Sequence, residues 1–283
     1  MIADLHLHTS ASDGLYPPAE VVKQAKDKGY SAIAITDHDT TGGLTEALAA
    51  GKKLGVEVIP GIELSTLDGD REIHILGYYP DSENDQLQEM LSKMIEARKN
   101  RALKMVEKLN HHGIDISLTR IKEIAGTEFI GRPHIAQALL EKGYITEVSE
   151  AFSEDFIGRG GKAYIERFKI TPTEGIKILK QAGAIPVLAH PGFLSKGEPI
   201  SEEEMKKLIE SGLRGIEVFY SKHTPEQTGL YKSLVIKYSL LITGGSDCHG
   251  QPNVPNSLGS IQLPYKYVEA LKNENKRQVF PSS

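Results

Sequence analysis

The sequence holds a single cysteine, Cys248, in 283 residues. No intrachain disulfide can form, and the chain fits a reducing compartment. No apolar run reaches the roughly 20 residues that cross a bilayer, so no membrane partner is expected. Nor does a basic segment followed by an apolar core open the chain. Cleaving such a leader would also remove His6 and His8, so the chain is expected to be cytoplasmic and complete. A basic excess is absent as well: the net charge is −5 and the pI is near 6.1. Duplex DNA, which is held by counterion release to a positive field, is therefore not an expected partner. Solenoid repeats and low-complexity tracts are lacking. What remains, 39% hydrophobic and 25% charged residues, suits one large globular domain or one domain carrying an insertion.

The most informative stretch is Asp4-Leu5-His6-Leu7-His8. Residues two apart on a strand point the same way, so His6 and His8 share a face with Asp4 while Leu5 and Leu7 face the opposite side. Two imidazoles one pleat apart can grip a cation, and Asp4 is placed to orient a ring through its second nitrogen. The competing reading of this segment alone is a half-buried edge strand with two solvated histidines.

A strand, loop and helix rhythm follows. Pro17-Pro18 opens a helix that stops at Gly29; an apolar strand at 32–36 runs into Asp37-His38-Asp39; a helix covers about 43–54; and a strand at 56–62 leads into Glu63. Extended runs at 63–66 and 72–79, the second containing His74, flank the hairpin signal Asp68-Gly69-Asp70. From residue 82 the apolar period becomes helical through Leu87, Met90, Leu91, Met94, Leu103, Val106 and Leu109. The rhythm then resumes, with strands expected at 185–189, 215–220, 240–243 and 258–263 and a frayed polar tail from Asn275. This grammar predicts an α/β chain: a distorted (β/α) barrel of about seven strands over residues 1–81 and 166–283, with a helical insertion at 82–165. In such barrels the active groups lie beyond the C-terminal ends of the strands.

Those ends are where the metal-competent side chains fall: His6, His8 and Asp13; Asp37 and His38; Glu63; His190; Asp247 and His249. With His74, an interior strand position, six of the ten histidines join the set, whereas scattered solvated histidines would show no preference for strand ends. Imidazole and carboxylate without a thiolate cluster suit Mn, Fe or Zn and disfavour a sulfur-rich structural zinc site or an all-oxygen calcium site. So many ligands exceed the need of one tetrahedral ion, which implies two to three divalent ions with a bridging carboxylate such as Glu63.

Taken together, Asp4-Leu5-His6-Leu7-His8-Thr9, Thr36-Asp37-His38-Asp39, Gly61-Ile62-Glu63, His190-Pro191-Gly192 and Gly245-Ser246-Asp247-Cys248-His249-Gly250 resemble the PHP (polymerase and histidinol phosphatase) superfamily of metal-dependent phosphoesterases. The chain is most similar to the branch of nucleoside 3′,5′-bisphosphate phosphatases and RNA 5′-end exonucleases, through Gly131-Arg132-Pro133-His134 and the run from Tyr220 to Gln227. The resemblance implies a distorted (β/α)7 barrel and a trinuclear site. His6, His8, Glu63 and Asp247 would hold one ion; Glu63, His74 and His190 a second; and Asp13, His38 and His249 a third. It also implies hydrolysis of a phosphate monoester by a metal-activated hydroxide, with the 3′-phosphate of a nucleoside 3′,5′-bisphosphate as the expected target. Where the branch often has Phe, this chain has Cys248, expected to pack away from the metals.

Substrate contacts are expected from the insertion through Arg132, whose planar fork suits a phosphate, and His134, beside it at a helix start that favours anions. Lys222 and His223, just past a strand end, are candidates for the phosphate or the leaving group, and Arg159 with Lys162 among glycines for an anion nest. Glu217 and Asp37 are candidate orienters of metal-bound imidazoles. The alternatives are 5′-to-3′ exonucleolytic trimming of short RNA, a histidinol-phosphate-type phosphatase, and, from another class, a noncatalytic metal-binding module.

Overall fold

The computed structural model describes the chain except residues 127–129, 167, 169, 193–199, 252, 253, 255 and 280–283. It divides into two units, Met1–Gln88 with Lys169–Ser283, and Glu89–Phe168.

In the first unit, β1 (Ile2–Leu7), β2 (Ala32–Ile35), β3 (Glu57–Asp68), β4 (Arg71–Tyr78), β5 (Ile185–Leu188), β6 (Gly215–Tyr220), β7 (Leu241–Gly245) and β8 (Leu263–Pro264) form one sheet. Their order is β7-β6-β5-β4-β3-β2-β1-β8. The sheet curls until the segment beyond β7 meets β1, where Asp247 N–H donates to His6 O at 2.9 Å and His8 N–H to Cys248 O at 3.0 Å. The result is a nearly closed barrel whose β1 lies between β2 and β8. This removes the edge-strand reading of β1: His6 is 0% and His8 1% exposed.

The helices of this unit are α1 (Pro18–Asp27), α2 (Leu44–Leu54), α6 (Pro172–Gln181), α7 (Glu202–Ser211), α8 (Pro225–Tyr238) and α9 (Lys266–Val279). Several start where sequence chemistry demands: Thr171, Ser201 and Thr224 each accept the amide three residues on, closing a capping box. Leu7, Val21, Val22, Ala25, Ile33, Ile35 and Ala47 pack into one apolar cluster, which also takes in Cys248. The cysteine is thus held with apolar neighbours, and its sulfur accepts the Gly250 amide at 3.3 Å.

Three expectations are corrected. The run 56–62 does not end at Glu63 but continues through it to Asp68, pairing residue by residue with β4 around Gly69, whose φ of 57° makes the tight turn possible. The strand expected at 258–263 shrinks to Leu263–Pro264, which pairs with Ile2 and Ala3 at the start of β1. The tail expected to fray from Asn275 continues as α9 to Val279, anchored by buried Glu274, which accepts Arg214 Nε at 2.9 Å.

The second unit contains most of α3 (Asp85–His111), then α4 (Leu118–Ala125), α5 (Arg132–Glu141) and a 3-10 turn at Val148–Phe152. It has its own core, built on Met105, Leu109, Ile121, Ile135, Leu139 and Ile157.

Candidate metal centre

β1 supplies His6, His8 directly follows it, the loop beyond holds Asp13, and the segment after β2 holds His38. Glu63 stands on β3 and His74 on β4, His190 follows β5, and Asp247 and His249 follow β7. Glu63 is the hub. Its Oε2 lies 3.2 Å from His6 Nε2, 3.2 Å from His8 Nε2 and 3.1 Å from His38 Nδ1; its Oε1 lies 3.0 Å from both His74 Nδ1 and His190 Nε2. Asp247 Oδ1 is 3.1 Å from His8 Nε2, and Asp13 Oδ1 is 3.3 Å from His249 Nε2.

Ligand atoms of His6, His8, Glu63 and Asp247 lie within 4.8 Å of one another, as do those of His8, Asp13, His38 and His249, and those of His38, Glu63 and His74. The three groups overlap at His8, His38 and Glu63. His190, assigned with Glu63 and His74 by resemblance, meets the same Glu63 oxygen as His74 but is not in that compact third group, whereas His38 is.

The donor set fits divalent cations on two physical grounds. His6 Nε2, both nitrogens of His8, Glu63 Oε2 and His190 Nδ1 are buried without a hydrogen-bond partner among the described residues, each a cost of about 1–3 kcal/mol in a purely organic interior. The titration directions show the same crowding. Burial opposes the ionised form of Glu63, yet the fields of His38, His6 and His74 hold its carboxyl well below the usual range. Burial likewise opposes ionising Asp13, and His38 and His249 reverse it. Burial dominates at His38 and pushes it down to about 3, although Glu63 and Asp13 pull it up.

Surrounding side chains hold this set in place. Glu217 on β6 lies with Oε1 3.1 Å from His6 Nδ1, while its Oε2 accepts the His190 amide at 2.8 Å. A carboxylate can only accept, so His6 donates from Nδ1 and turns Nε2 toward Glu63. Asp4 was expected to orient a ring, but its Oδ1 accepts the amides of His6 and Ser246 instead. Asp37 accepts Thr9 N–H, Thr9 O–H and Ser12 O–H. It thereby shapes the loop carrying Asp13 rather than an imidazole.

The residues expected to touch substrate fare differently. His223 Nδ1 donates to Val218 O at 3.1 Å and its Nε2 accepts Gly192 N–H at 3.2 Å, so both nitrogens are committed to main chain. Lys222 is exposed in the turn after β6. In the second unit, Arg132 starts α5 with its guanidinium carbon 5.4 Å from the centre of the Phe152 ring; His134 Nδ1 accepts the Gly131 amide at 3.1 Å. The anion nest at Arg159 and Lys162 does not form. The amides of Gly158, Gly161, Lys162 and Ala163 all point at carbonyls, and Lys162 pairs with Asp155 at 2.9 Å.

A PHP domain profile matches residues 4–182. The chain belongs to the PHP domain family. Among curated PHP relatives, it is 32% identical to the phosphoribosyl 1,2-cyclic phosphate 1,2-diphosphodiesterase of Eggerthella lenta, over 89% of this chain and 95% of that one. It is 31% identical to a 5′-3′ exoribonuclease of Haemophilus influenzae (87% and 89%) and 30% to the 3′,5′-nucleoside bisphosphate phosphatase of Chromobacterium violaceum (87% and 86%). A solved chain of Bifidobacterium adolescentis, assigned to the metal-dependent phosphoesterases, superposes with a TM-score of 0.86 at 34% identity, covering 95% of this chain and 94% of that one.

Within this PHP domain, sequence reasoning passed over Tyr220, whose hydroxyl donates to Asp247 Oδ2 at 3.0 Å. Glu217 and Tyr220 are three apart, so strict alternation sends them to opposite faces. The register of β6 against β7 shifts between Glu217 and Phe219, and this irregularity brings both to the ligands. Gln227 was also missed. Its Nε2 donates to Gly192 O at 3.1 Å while its Oε1 accepts the Thr224 amide; the pattern Thr-x-x-Gln signals only the helix cap.

Proposed function

We propose that this PHP domain is a metal-dependent hydrolase of phosphate esters acting on a small phosphorylated nucleotide, with the 3′-phosphate of a nucleoside 3′,5′-bisphosphate as its target. The observation that carries the reading is the buried Glu63 carboxylate facing five imidazoles, with Asp247 and Asp13 completing the donor set around it. Two to three divalent ions, Mn, Fe or Zn by donor type, would be held by His6, His8, Asp13, His38, Glu63, His74, His190, Asp247 and His249. When bound, such ions supply Lewis acidity that brings water deprotonation toward neutral pH and positive charge for a phosphate.

The chain's own residues determine whether that chemistry is directed. Glu217 fixes the tautomer of His6 and the main chain of His190 with one carboxylate. Asp37 locks the loop that presents Asp13. His223 and Gln227 hold Gly192 from both its amide and its carbonyl, which fixes the turn carrying His190. Arg132, His134 and Lys222 are the candidates for the rest of the substrate; His223 would act through the turn it clamps. The lone thiol suits the reducing cytoplasm, where nucleotides are abundant.

Two further substrates call for direct comparison because relatives 31% and 32% identical are named for acting on them: RNA degraded in the 5′-3′ direction, and a phosphoribosyl cyclic phosphate diester. Metal analysis with phosphate release from an aryl phosphate, nucleoside 3′,5′-bisphosphate, 5′-phosphorylated RNA, a ribosyl cyclic phosphate and histidinol phosphate tests the reading. The bisphosphate should show the highest kcat/KM. Tight metals without turnover of any ester would instead identify a binding module.

A further inference from the structure

We infer that Tyr220 is a positioning residue that fixes how Asp247 meets a cation: it holds Oδ2 back by a hydrogen bond and so presents Oδ1 alone to the His6, His8 and Glu63 group. This rests on the metal-centre reading above. The two Asp247 oxygens have different surroundings. Oδ1 lies 3.1 Å from His8 Nε2 and 3.6 Å from His6 Nε2, whereas Oδ2 accepts the Tyr220 hydroxyl at 3.0 Å.

The Asp247 main chain has little freedom of its own. Its φ is 56°, a left-handed conformation that Asp tolerates when local hydrogen bonds support it. Here its N–H donates to His6 O, while its C=O accepts Asn256 Nδ2 at 2.9 Å and His249 Nδ1 at 3.0 Å. The terminal torsion of a carboxylate is broad, so the backbone alone cannot set the plane of the group against the ligands. The Tyr220 hydroxyl can.

Tyr220 is itself rigid. It is 4% exposed, with its ring 5.3 Å from that of His190 and 5.2 Å from that of His223. His223 is held in turn by Val218 O and the Gly192 amide, and its other face meets Tyr231 at 5.1 Å. A phenylalanine at 220 would keep this packing and delete the bond to Oδ2. Carboxylate partners of this kind typically change metal affinity 10–100-fold.

The test titrates metal-free wild type, Tyr220→Phe and Tyr231→Phe with Mn²⁺ by calorimetry, alongside melting of the metal-free proteins. The Tyr231 hydroxyl is buried with no hydrogen-bond partner among the described residues, which makes Tyr231→Phe the packing control. Tyr220→Phe should weaken one binding step about 10–100-fold while the metal-free protein still melts in a single cooperative transition, and excess Mn²⁺ should restore turnover. Tyr231→Phe should titrate like wild type. A Tyr220→Phe isotherm that overlays the wild type, or an equal loss in Tyr231→Phe, overturns the Tyr220 role while leaving the metal centre standing. A wild type that takes up no Mn²⁺ or other divalent ion overturns both.

Discussion

Glu217 and His6 meet at 3.1 Å through the carboxylate Oε1 and the ring Nδ1, joining β6 to β1 at the base of the ligand set. Because Oε2 also receives the His190 amide, one side chain orients two ligands from different strands. Glu217→Gln cannot keep both bonds, since its amide nitrogen would face a donor. Metal affinity should fall about 10–100-fold, measured as ions retained after dialysis and as kcat/KM. Full retention of both would remove Glu217 from this role.

Gly245 is a second point of dependence. A methyl added there would stand 2.3 Å from His6 Cβ and 2.9 Å from Asp4 Oδ1. Gly245→Ala should therefore cost about 1–3 kcal/mol of stability, as overpacking does, and lower bound metal as His6 is displaced. Thermal melting with metal analysis checks both effects, and a variant with native melting and full metal would contradict the crowding.

The metal-free protein should take up cations better as pH rises. Burial disfavours charging His8, but Asp247 and Glu63 outweigh it and push the ring up to about 10 from 6.5. A raised imidazole means that the folded chain keeps a proton the unfolded chain releases. Its stabilising contribution is full below about 6.5 and is lost as pH climbs through about 10. A cation needs the same lone pair and must expel that proton. Titrations at pH 6.5, 7.5 and 8.5 should show rising affinity and net proton release, and a flat profile would count against the prediction.

His223 separates clamping from substrate contact. With both nitrogens on main chain, His223→Ala should loosen the His190 turn. It should lower metal retention and reduce turnover of an aryl phosphate as much as that of a nucleotide. A rise in nucleotide KM alone would restore direct contact with phosphate.

Arg132→Ala addresses the second phosphate. Loss of a charge-assisted bond of about 1.5–3 kcal/mol should raise KM for nucleoside 3′,5′-bisphosphate about 10–100-fold and leave aryl phosphate kinetics unchanged. Equal losses on both substrates would sink the assignment.

The sequence by itself determined the inventory of candidate ligands and its rhythm. His6 and His8 are two apart at the end of a buried strand, and His38, His190, Asp247 and His249 each follow an apolar run. That much is legible because strand periodicity is local and every βα unit repeats the same grammar. Tertiary structure alone decided which carboxylate does what. Asp4, inside the most telling motif, serves amides; of the two candidate orienters, Glu217 meets His6 while Asp37 does not meet an imidazole; and Tyr220 reaches Asp247 only because β6 slips register between Glu217 and Phe219. Local pattern cannot encode such pairings, since they arise where strands distant in sequence curl together and a one-residue irregularity exchanges the faces of everything beyond it.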